Sequence, residues 1–205
     1  NLGRARKLAL EKANGDYIAF LDCDDEWLPK KLEQQVYQLE NNREFGFCYT
    51  GVYYINEMGK NIVTYFPKAK TGNVFPQQLL NYEIGIQSVL IRSGVPLTFK
   101  EELEYCPDYD LLINISARYM GIVINKPLIK YRIVSGSLTT KKISLWWSEG
   151  KIILDNLFSM KPELKEKYPR HYKNAYAKIF YLKARYFFNN NDKRSAINAL
   201  EYYRF

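Results

Sequence analysis

The stretch YIAFLDCDDEW, residues 17–27, decides how the rest of the chain is interpreted. Residues 17–21 form a short apolar run of β-favouring side chains, and three aspartates and a glutamate follow within residues 22–26. This pattern predicts a buried strand that delivers carboxylates to the edge of a sheet. Ligands of open α/β sheets bind beyond the carboxyl ends of the strands, so we expect the acids at a binding site.

Two of these acids, Asp22 and Asp24, have the spacing of a shared ion site. Hard divalent cations prefer carboxylate oxygens and keep positions open for substrate phosphates. On an extended segment, residues i and i+2 point the same way, so both carboxylates are predicted to reach one ion, with Asp25 on the other side. A simpler interpretation is that Asp25 or Glu26 only starts the next helix, with Pro29 in its first turn. The two interpretations are compatible.

The elements around this stretch predict an α/β fold. Helical spacing from Leu2 to Ala13 ends at Asn14 and Gly15, and the strand predicted over residues 17–21 follows. This helix, turn and strand make half of a βαβ unit, so we expect that the chain begins inside a fold. The patterns predict a helix over 29–40, strands over 45–56, 61–66, 84–94 and 122–134, and a short helix over 76–81. Gln87 and Ser88, inside the strand predicted over 84–94, either line a pocket or face solvent.

A further acid, Asp108, precedes an apolar helical stripe in PDYDLL, residues 107–112. The helix is predicted to start at Pro107 and Asp108. Aspartate is a common N-cap, and spacing alone favours that role. A carboxylate on such a rigid element can also act as a general base that faces a cleft.

The basic charge is concentrated in the last third of the chain. The net charge is +8, yet residues 1–125 carry 13 basic and 16 acidic side chains, whereas residues 126–205 carry 17 and 6. Anionic lipid, a phosphorylated substrate, nucleic acid or a solvated lysine-rich surface would each account for this excess. Beyond residue 143 the pattern is helical and rich in aromatic residues such as Trp146, Trp147 and Phe158, which must pack in a core or meet a membrane interface.

Composition limits the class of protein. Hydrophobic residues make up 47% and charged residues 25%, enough for a sizeable core. Three cysteines without a CxxC pair indicate a reducing compartment with unpaired thiols. No apolar run reaches the roughly 18–20 residues of a membrane span. We therefore expect a cytoplasmic protein that is either soluble or peripheral at the inner face of the membrane.

With these pieces in order, the chain resembles the inverting family 2 glycosyltransferases of the GT-A fold over roughly residues 1–140. GRARKLALEKANGDYIAFLDCDDEWLPKKLEQQV, residues 3–36, is similar to that family's Ala-Arg-Asn helix and the following strand with its DxD motif. PDYDLL resembles the family's Glu-Asp before a hydrophobic helix, and YRIVSGSLT, residues 131–139, resembles its closing Tyr-Arg-x-His-x-x-Ser segment. The implied fold is a partial GT-A domain, a Rossmann-like mixed sheet with flanking helices, over 1–140, followed by a basic, aromatic helical extension over 141–205.

The resemblance also assigns roles to residues. It implies that Asp22 and Asp24 bind Mg²⁺ or Mn²⁺ and the donor, that Arg6 lies near the nucleotide, and that Arg132 contacts the diphosphate. Asp108 would be the catalytic base, which reverses the preference for a pure cap. Residues before Asn1 would hold the pocket for the nucleotide base, so we expect the 205 residues alone to bind nucleotide sugar poorly and to be inactive in isolation.

The function implied is metal-dependent, inverting hexosyl transfer from a nucleotide-diphosphate sugar to a saccharide or lipid-linked acceptor, in bacterial-type surface polysaccharide or glycolipid synthesis. No nucleic-acid partner is expected, and the basic C-terminal helices would meet a membrane surface. Two alternatives stay open. A strand that ends in DxD also opens haloacid dehalogenase-like phosphatases, although Glu26 stands where those usually have Thr or Val. A non-catalytic module would use the acids only as helix caps and its basic helices to bind a partner or membrane.

Overall fold

The computed structural model describes residues 2–137 and 143–201, and these contain one mixed sheet with helices packed around it. Within these residues no helix is both long and apolar enough to span a membrane. The strands are β1 (Tyr17–Ala19), β2 (Glu26–Trp27), β3 (Phe47–Ile55), β4 (Asn61–Tyr65), β5 (Leu90–Arg92) and β6 (Gly121–Arg132).

The sheet order is β1-β5-β3-β6-β2, and β4 pairs with β3 outside this path. The central pair, β3 and β6, is parallel, with Phe47 opposite Gly121 at one end and Ile55 opposite Arg132 at the other. The other pairs are antiparallel. The mixed α/β sheet and the antiparallel partner predicted for residues 45–56 are thus confirmed.

The acidic stretch differs from the prediction. The first strand ends at Ala19, and residues 22–25 form a turn in which the Asp25 N–H donates to the Asp22 carbonyl oxygen at 3.1 Å. Glu26 and Trp27 then return to the sheet against β6. The prediction that Asp22 and Asp24 point the same way along an extended segment, with Asp25 on the other side, is therefore wrong in its premise, because the i to i+3 hydrogen bond bends the chain there. The helix that follows begins only at Lys31, so neither Asp25 nor Glu26 starts it.

The segment 84–94 is also not one strand. Ile86–Ser88 form a 3₁₀ turn, and only Leu90–Arg92 pair with neighbouring strands. Gln87 and Ser88 are both buried, which excludes the solvent-facing alternative.

The helices are α1 (Leu2–Leu10), α2 (Lys31–Glu40), α3 (Phe75–Asn81), α4 (Pro107–Ser116), α5 (Trp146–Met160), α6 (Glu163–Lys167), α7 (Pro169–Asn189) and α8 (Lys193–Glu201). Helix α4 is buried on two sides. Leu111, Leu112 and Ile115 pack into a core with the sheet, whereas Tyr109 and Ile113 pack into a second core formed with the C-terminal helices. The sandwich of sheet, α4 and α5 fixes the position of the residues at the start of α4.

Candidate active site

A cavity of about 370 Å³ lies where the acidic turn, the start of α4 and the start of α5 meet. It contains three of the residues singled out from the sequence, Arg6, Asp22 and Asp108. Six aromatic residues also line it, namely Tyr54, Tyr82, Tyr105, Tyr109, Tyr131 and Trp146. A few charged groups among apolar and aromatic side chains are the lining expected for a small-molecule binding site.

Arg6 and Asp22 form an ion pair at the edge of this cavity. The Arg6 Nη2 atom donates to both Asp22 carboxylate oxygens, at 3.0 and 3.2 Å. Arg6 is buried and comes from α1, whereas Asp22 is partly exposed. The Gln87 side-chain amide lies 3.5 Å from the same carboxylate. Asp22 is therefore held in a fixed orientation, with part of its surface open to the cavity.

Asp24 and Asp25 occupy different environments in the turn. Asp24 is exposed, does not line the cavity, and its carboxylate has no hydrogen-bond or ion-pair partner among residues 2–137 and 143–201. Asp25 is 8% exposed, and its Oδ1 accepts the backbone N–H of Arg132 at 2.9 Å. Its buried Oδ2 has no partner in the described part of the chain. Burial raises the pKa of the Asp25 carboxyl to about 6, against the lowering effect of the Arg132 N–H.

Arg132 lies outside the cavity and contacts the acidic turn, residues 22–25. Its Nε donates to the Asp24 carbonyl oxygen at 3.0 Å, and its Nη2 pairs with Glu26 at 2.6 Å. Its Nη1 donates to the carbonyl oxygens of Asn56 and Glu57. The guanidinium thus joins the turn to the β3–β4 hairpin, and the diphosphate contact predicted for it from the sequence stays a prediction.

Asp108 is the second residue of α4, and Cys106 is the N-cap. The N-cap role that spacing favoured for Asp108 is therefore wrong. Its Oδ1 accepts the N–H of Tyr109 at 3.0 Å. Burial raises the pKa of Asp108 above the ordinary aspartate value, while the positive charge of Arg6 acts in the opposite direction. Partial desolvation makes a carboxylate a stronger base, which a proton-abstracting group requires.

Several cavity residues were not predicted from the sequence. Tyr82 has a left-handed backbone conformation, with φ of 42°, and its buried hydroxyl has no hydrogen-bond partner among the described residues. Trp146 contributes to the cavity wall from α5, and its ring centroid lies 5.7 Å from that of Tyr109. Their positions depend on contacts between distant segments, so no local pattern marked them. Gln87 was recognisable from the sequence as a candidate pocket residue, because it is a polar residue inside a predicted strand.

The two candidate metal ligands, Asp22 and Asp24, would supply two carboxylates to a divalent cation. The described residues contain no group of three His, Cys, Asp or Glu side chains arranged to hold a metal ion by themselves. Mg²⁺ is commonly held by one or two carboxylates together with waters and substrate phosphates. The unpartnered carboxylate of Asp24 and the exposed part of Asp22 have the oxygen chemistry for this mode of binding.

Comparison with known proteins finds similarity to glycosyltransferases. The family model described as "Glycosyl transferase family 2" matches residues 1–95. An uncharacterized glycosyltransferase of Methanocaldococcus jannaschii is 34% identical over 139 residues, which are 65% of this chain and 48% of that protein. The Escherichia coli UDP-Glc:alpha-D-GlcNAc-diphosphoundecaprenol beta-1,3-glucosyltransferase WfgD is 33% identical over 147 residues, 67% of this chain and 54% of that protein. The chain thus spans about half the length of these two relatives.

A solved structure supports the fold independently. The crystal structure of S. aureus TarS matches 98% of this chain and 43% of its own chain, with a TM-score of 0.56 and 15% sequence identity. At that identity the likeness shows the fold alone. The family match and the named relatives favour a sugar transferase over the phosphatase and the non-catalytic module. The family 2 model matches the first 95 residues of the chain, the named relatives are glycosyltransferases, and the sheet and helices of the chain form a GT-A-type fold.

Proposed function

We propose that this chain carries the diphosphate and acceptor sides of an enzyme that transfers a hexose from a nucleotide-diphosphate sugar to a hydroxyl group of a saccharide or lipid-linked acceptor. The observation that carries the proposal is the single cavity lined by Arg6, Asp22 and Asp108. These residues lie on α1, on the acidic turn and at the start of α4, so distant parts of the sequence contribute complementary charges to one site.

Asp108 is the proposed general base. Its carboxylate removes the proton of the acceptor hydroxyl as that oxygen attacks the anomeric carbon. Attack from the face opposite the departing diphosphate inverts the anomeric configuration. Burial, which raises the pKa of Asp108, supports this role. Its place on the first turn of a doubly packed helix limits its freedom to move.

Arg6, Asp22 and Asp24 form the proposed diphosphate side. Arg6 orients Asp22 through the paired contact at 3.0 and 3.2 Å and brings a positive charge to the cavity. Asp22 and Asp24 would hold a divalent cation, Mg²⁺ or Mn²⁺, which when bound supplies neutralisation of the negative charge on the leaving diphosphate. Arg132 keeps the backbone of Asp24 in the turn through its Nε contact.

The aromatic wall supports a sugar acceptor. Sugar rings present apolar C–H faces that pack on aromatic side chains, and polar groups fix their orientation. The relatives include proteins named for teichuronic acid and amylovoran biosynthesis as well as the glucosyltransferase WfgD, whose name specifies an acceptor on diphosphoundecaprenol. We infer an acceptor of the same general class here, and a peripheral position at a membrane surface through the basic C-terminal helices.

The proposal is tested with Asp24→Asn and Asp108→Asn in the intact protein. Sugar transfer is measured with UDP-glucose and a GlcNAc-diphosphate-lipid acceptor, with and without chelator. Asp108→Asn should lower kcat by about 10²- to 10⁴-fold, the usual contribution of a general base. Asp24→Asn should lower kcat and raise the Mg²⁺ or Mn²⁺ concentration that gives half-maximal rate.

Asp16→Asn is the matched control, because Asp16 is an exposed aspartate outside the cavity. It should retain the wild-type rate. Full turnover by Asp108→Asn would remove the base from the proposal, and a rate unaffected by chelator would remove the cation.

A further inference from the structure

Helix α5, in the C-terminal segment, makes direct contact with the loop that leads to Asp108. Its residue Glu149 is buried, with 7% exposure, and its carboxylate points at three consecutive backbone N–H groups. Oε1 accepts the N–H of Glu104 at 3.0 Å, Oε2 accepts that of Cys106 at 2.8 Å, and the N–H of Tyr105 is shared between both oxygens at 3.2 and 3.0 Å.

These contacts hold the residues that lead into α4, a helix whose start has no side-chain cap. Cys106 is the N-cap of α4 and makes no side-chain capping bond, and Pro107 follows without an N–H group. The unpaired N–H groups near a helix start attract negative charge. Glu149 places a negative charge beside this helix start from another helix, at a sequence separation of 43 residues from Cys106.

The same turn of α5 reaches the cavity. Trp146 lies three residues before Glu149, so both side chains project from one face of the helix. Trp146 lines the cavity and packs near Tyr109, the neighbour of Asp108. One helical turn thus contacts the segment on both sides of Pro107.

We propose that Glu149 is a positioning residue for the candidate base, and that α5 contributes to the site through Glu149 and Trp146. The carboxylate of Glu149 fixes the backbone of residues 104–106, and this fixes the direction in which the first turn of α4 presents Asp108. The inference rests on the proposed function, since it assigns Asp108 the role of base.

The test begins with hydrogen–deuterium exchange of the intact protein, which requires no substrate. Glu149→Gln keeps the size of the side chain but replaces one accepting oxygen by an NH₂ group that faces backbone donors. Exchange at residues 104–106 and in the first turn of α4 should rise by about tenfold or more, because charged hydrogen bonds there are lost. Exchange in β3 should not change.

A second arm measures sugar transfer with UDP-glucose and the GlcNAc-diphosphate-lipid acceptor. Misplacing a catalytic group lowers the rate of the chemical step, so Glu149→Gln should lower kcat about tenfold or more while the KM for UDP-glucose stays within about twofold. Glu149→Asp keeps both oxygens on a shorter side chain and should give intermediate exchange and an intermediate kcat. It also keeps the test available if Glu149→Gln folds poorly. Glu166→Gln, at an exposed position on α6, is the control.

The outcomes separate the two proposals. Unchanged exchange at residues 104–106 in Glu149→Gln overturns the positioning role. Increased exchange with unchanged kcat also overturns it, because Glu149 would then stabilise residues 104–106 without affecting the position of Asp108. If the wild-type protein itself transfers no sugar from UDP-glucose, the proposed function fails for this donor, and the exchange arm alone decides whether Glu149 fixes the start of α4.

Discussion

At the scale of single residues, the chemistry of the candidate site depends on two opposing effects on Asp108. Burial raises the pKa of its carboxyl, and the positive charge of Arg6 lowers it. Arg6 is itself paired with Asp22, so a single guanidinium influences both the acidic turn and the candidate base. A base that must be ionised to act is sensitive to the loss of this charge.

Arg6→Met should therefore move the acidic limb of the pH profile of kcat/KM to higher pH. Removal of the positive charge leaves the effect of burial unopposed, so the pKa of Asp108 rises and the base becomes protonated under less acidic conditions. The profile is measured over the range from pH 5 to pH 9.

Arg6→Lys is the control for this change, because it retains the charge while it loses the two-oxygen contact with Asp22. Its acidic limb should stay close to that of the wild-type protein. A limb that moves equally in both variants would show that contact geometry, and not charge, sets the pKa.

At the scale of elements, the close contact of three strands at Gly51 shapes the middle of the sheet. Gly51 of β3 pairs with Pro127 of β6, and the register between these strands shifts on both sides of it. A Cβ at position 51 would lie 2.6 Å from the Tyr65 carbonyl oxygen and 3.1 Å from the Pro127 nitrogen. Both atoms are backbone atoms, which cannot move aside as a flexible side chain can, so this position requires glycine.

Gly51→Ala should lower the free energy of unfolding by about 2 kcal/mol, the typical cost of overpacking. Urea denaturation followed by circular dichroism provides the measurement. In Gly94→Ala the new Cβ would meet no atom within 4 Å, so this control should unfold at nearly the wild-type urea concentration. Equal stability of the two variants would contradict the tight strand contact.

At the scale of the whole molecule, the C-terminal helices share a core with the part of the chain that carries the site. Ile153, Phe158 and Ile179 from these helices are in one cluster with Phe75 of α3 and Ile113 of α4. Phe158 is 1% exposed, and its ring centroid is 4.8 Å from that of Tyr172. Of the two alternatives for the aromatic residues, packing in a core therefore applies to Phe158. The boundary predicted near residue 140 stays a prediction.

Phe158→Ala should destabilise the chain by about 3–5 kcal/mol, the usual cost of removing a buried phenylalanine. Because the core joins α3 and α4 to the C-terminal helices, tryptophan fluorescence and far-ultraviolet circular dichroism should follow the same unfolding transition.

Met160→Ala is the matched control, since Met160 is 59% exposed, and it should change stability little. Separate transitions in Phe158→Ala, with the helices melting before the sheet, would contradict a shared core.

The sequence by itself determined the features that local patterns encode. The acids after an apolar run, the strands within 45–56 and 61–66, and the helix that starts at Pro107 were all predicted from spacing and residue type, and their motif order indicated the family. Such patterns succeed because burial on one face of a helix or strand leaves a periodic trace in the sequence.

Only the tertiary structure decided which groups meet. The turn at Asp22–Asp25 is closed by a hydrogen bond that the apolar pattern does not encode, and its position depends on Arg132, more than 100 residues away. The contacts of Asp22 with Arg6 and of Glu149 with Cys106 join separate elements. The pKa of Asp108 likewise depends on burial and on Arg6. Pairing across the fold and desolvation are properties of the packed chain, so residue spacing alone cannot specify them.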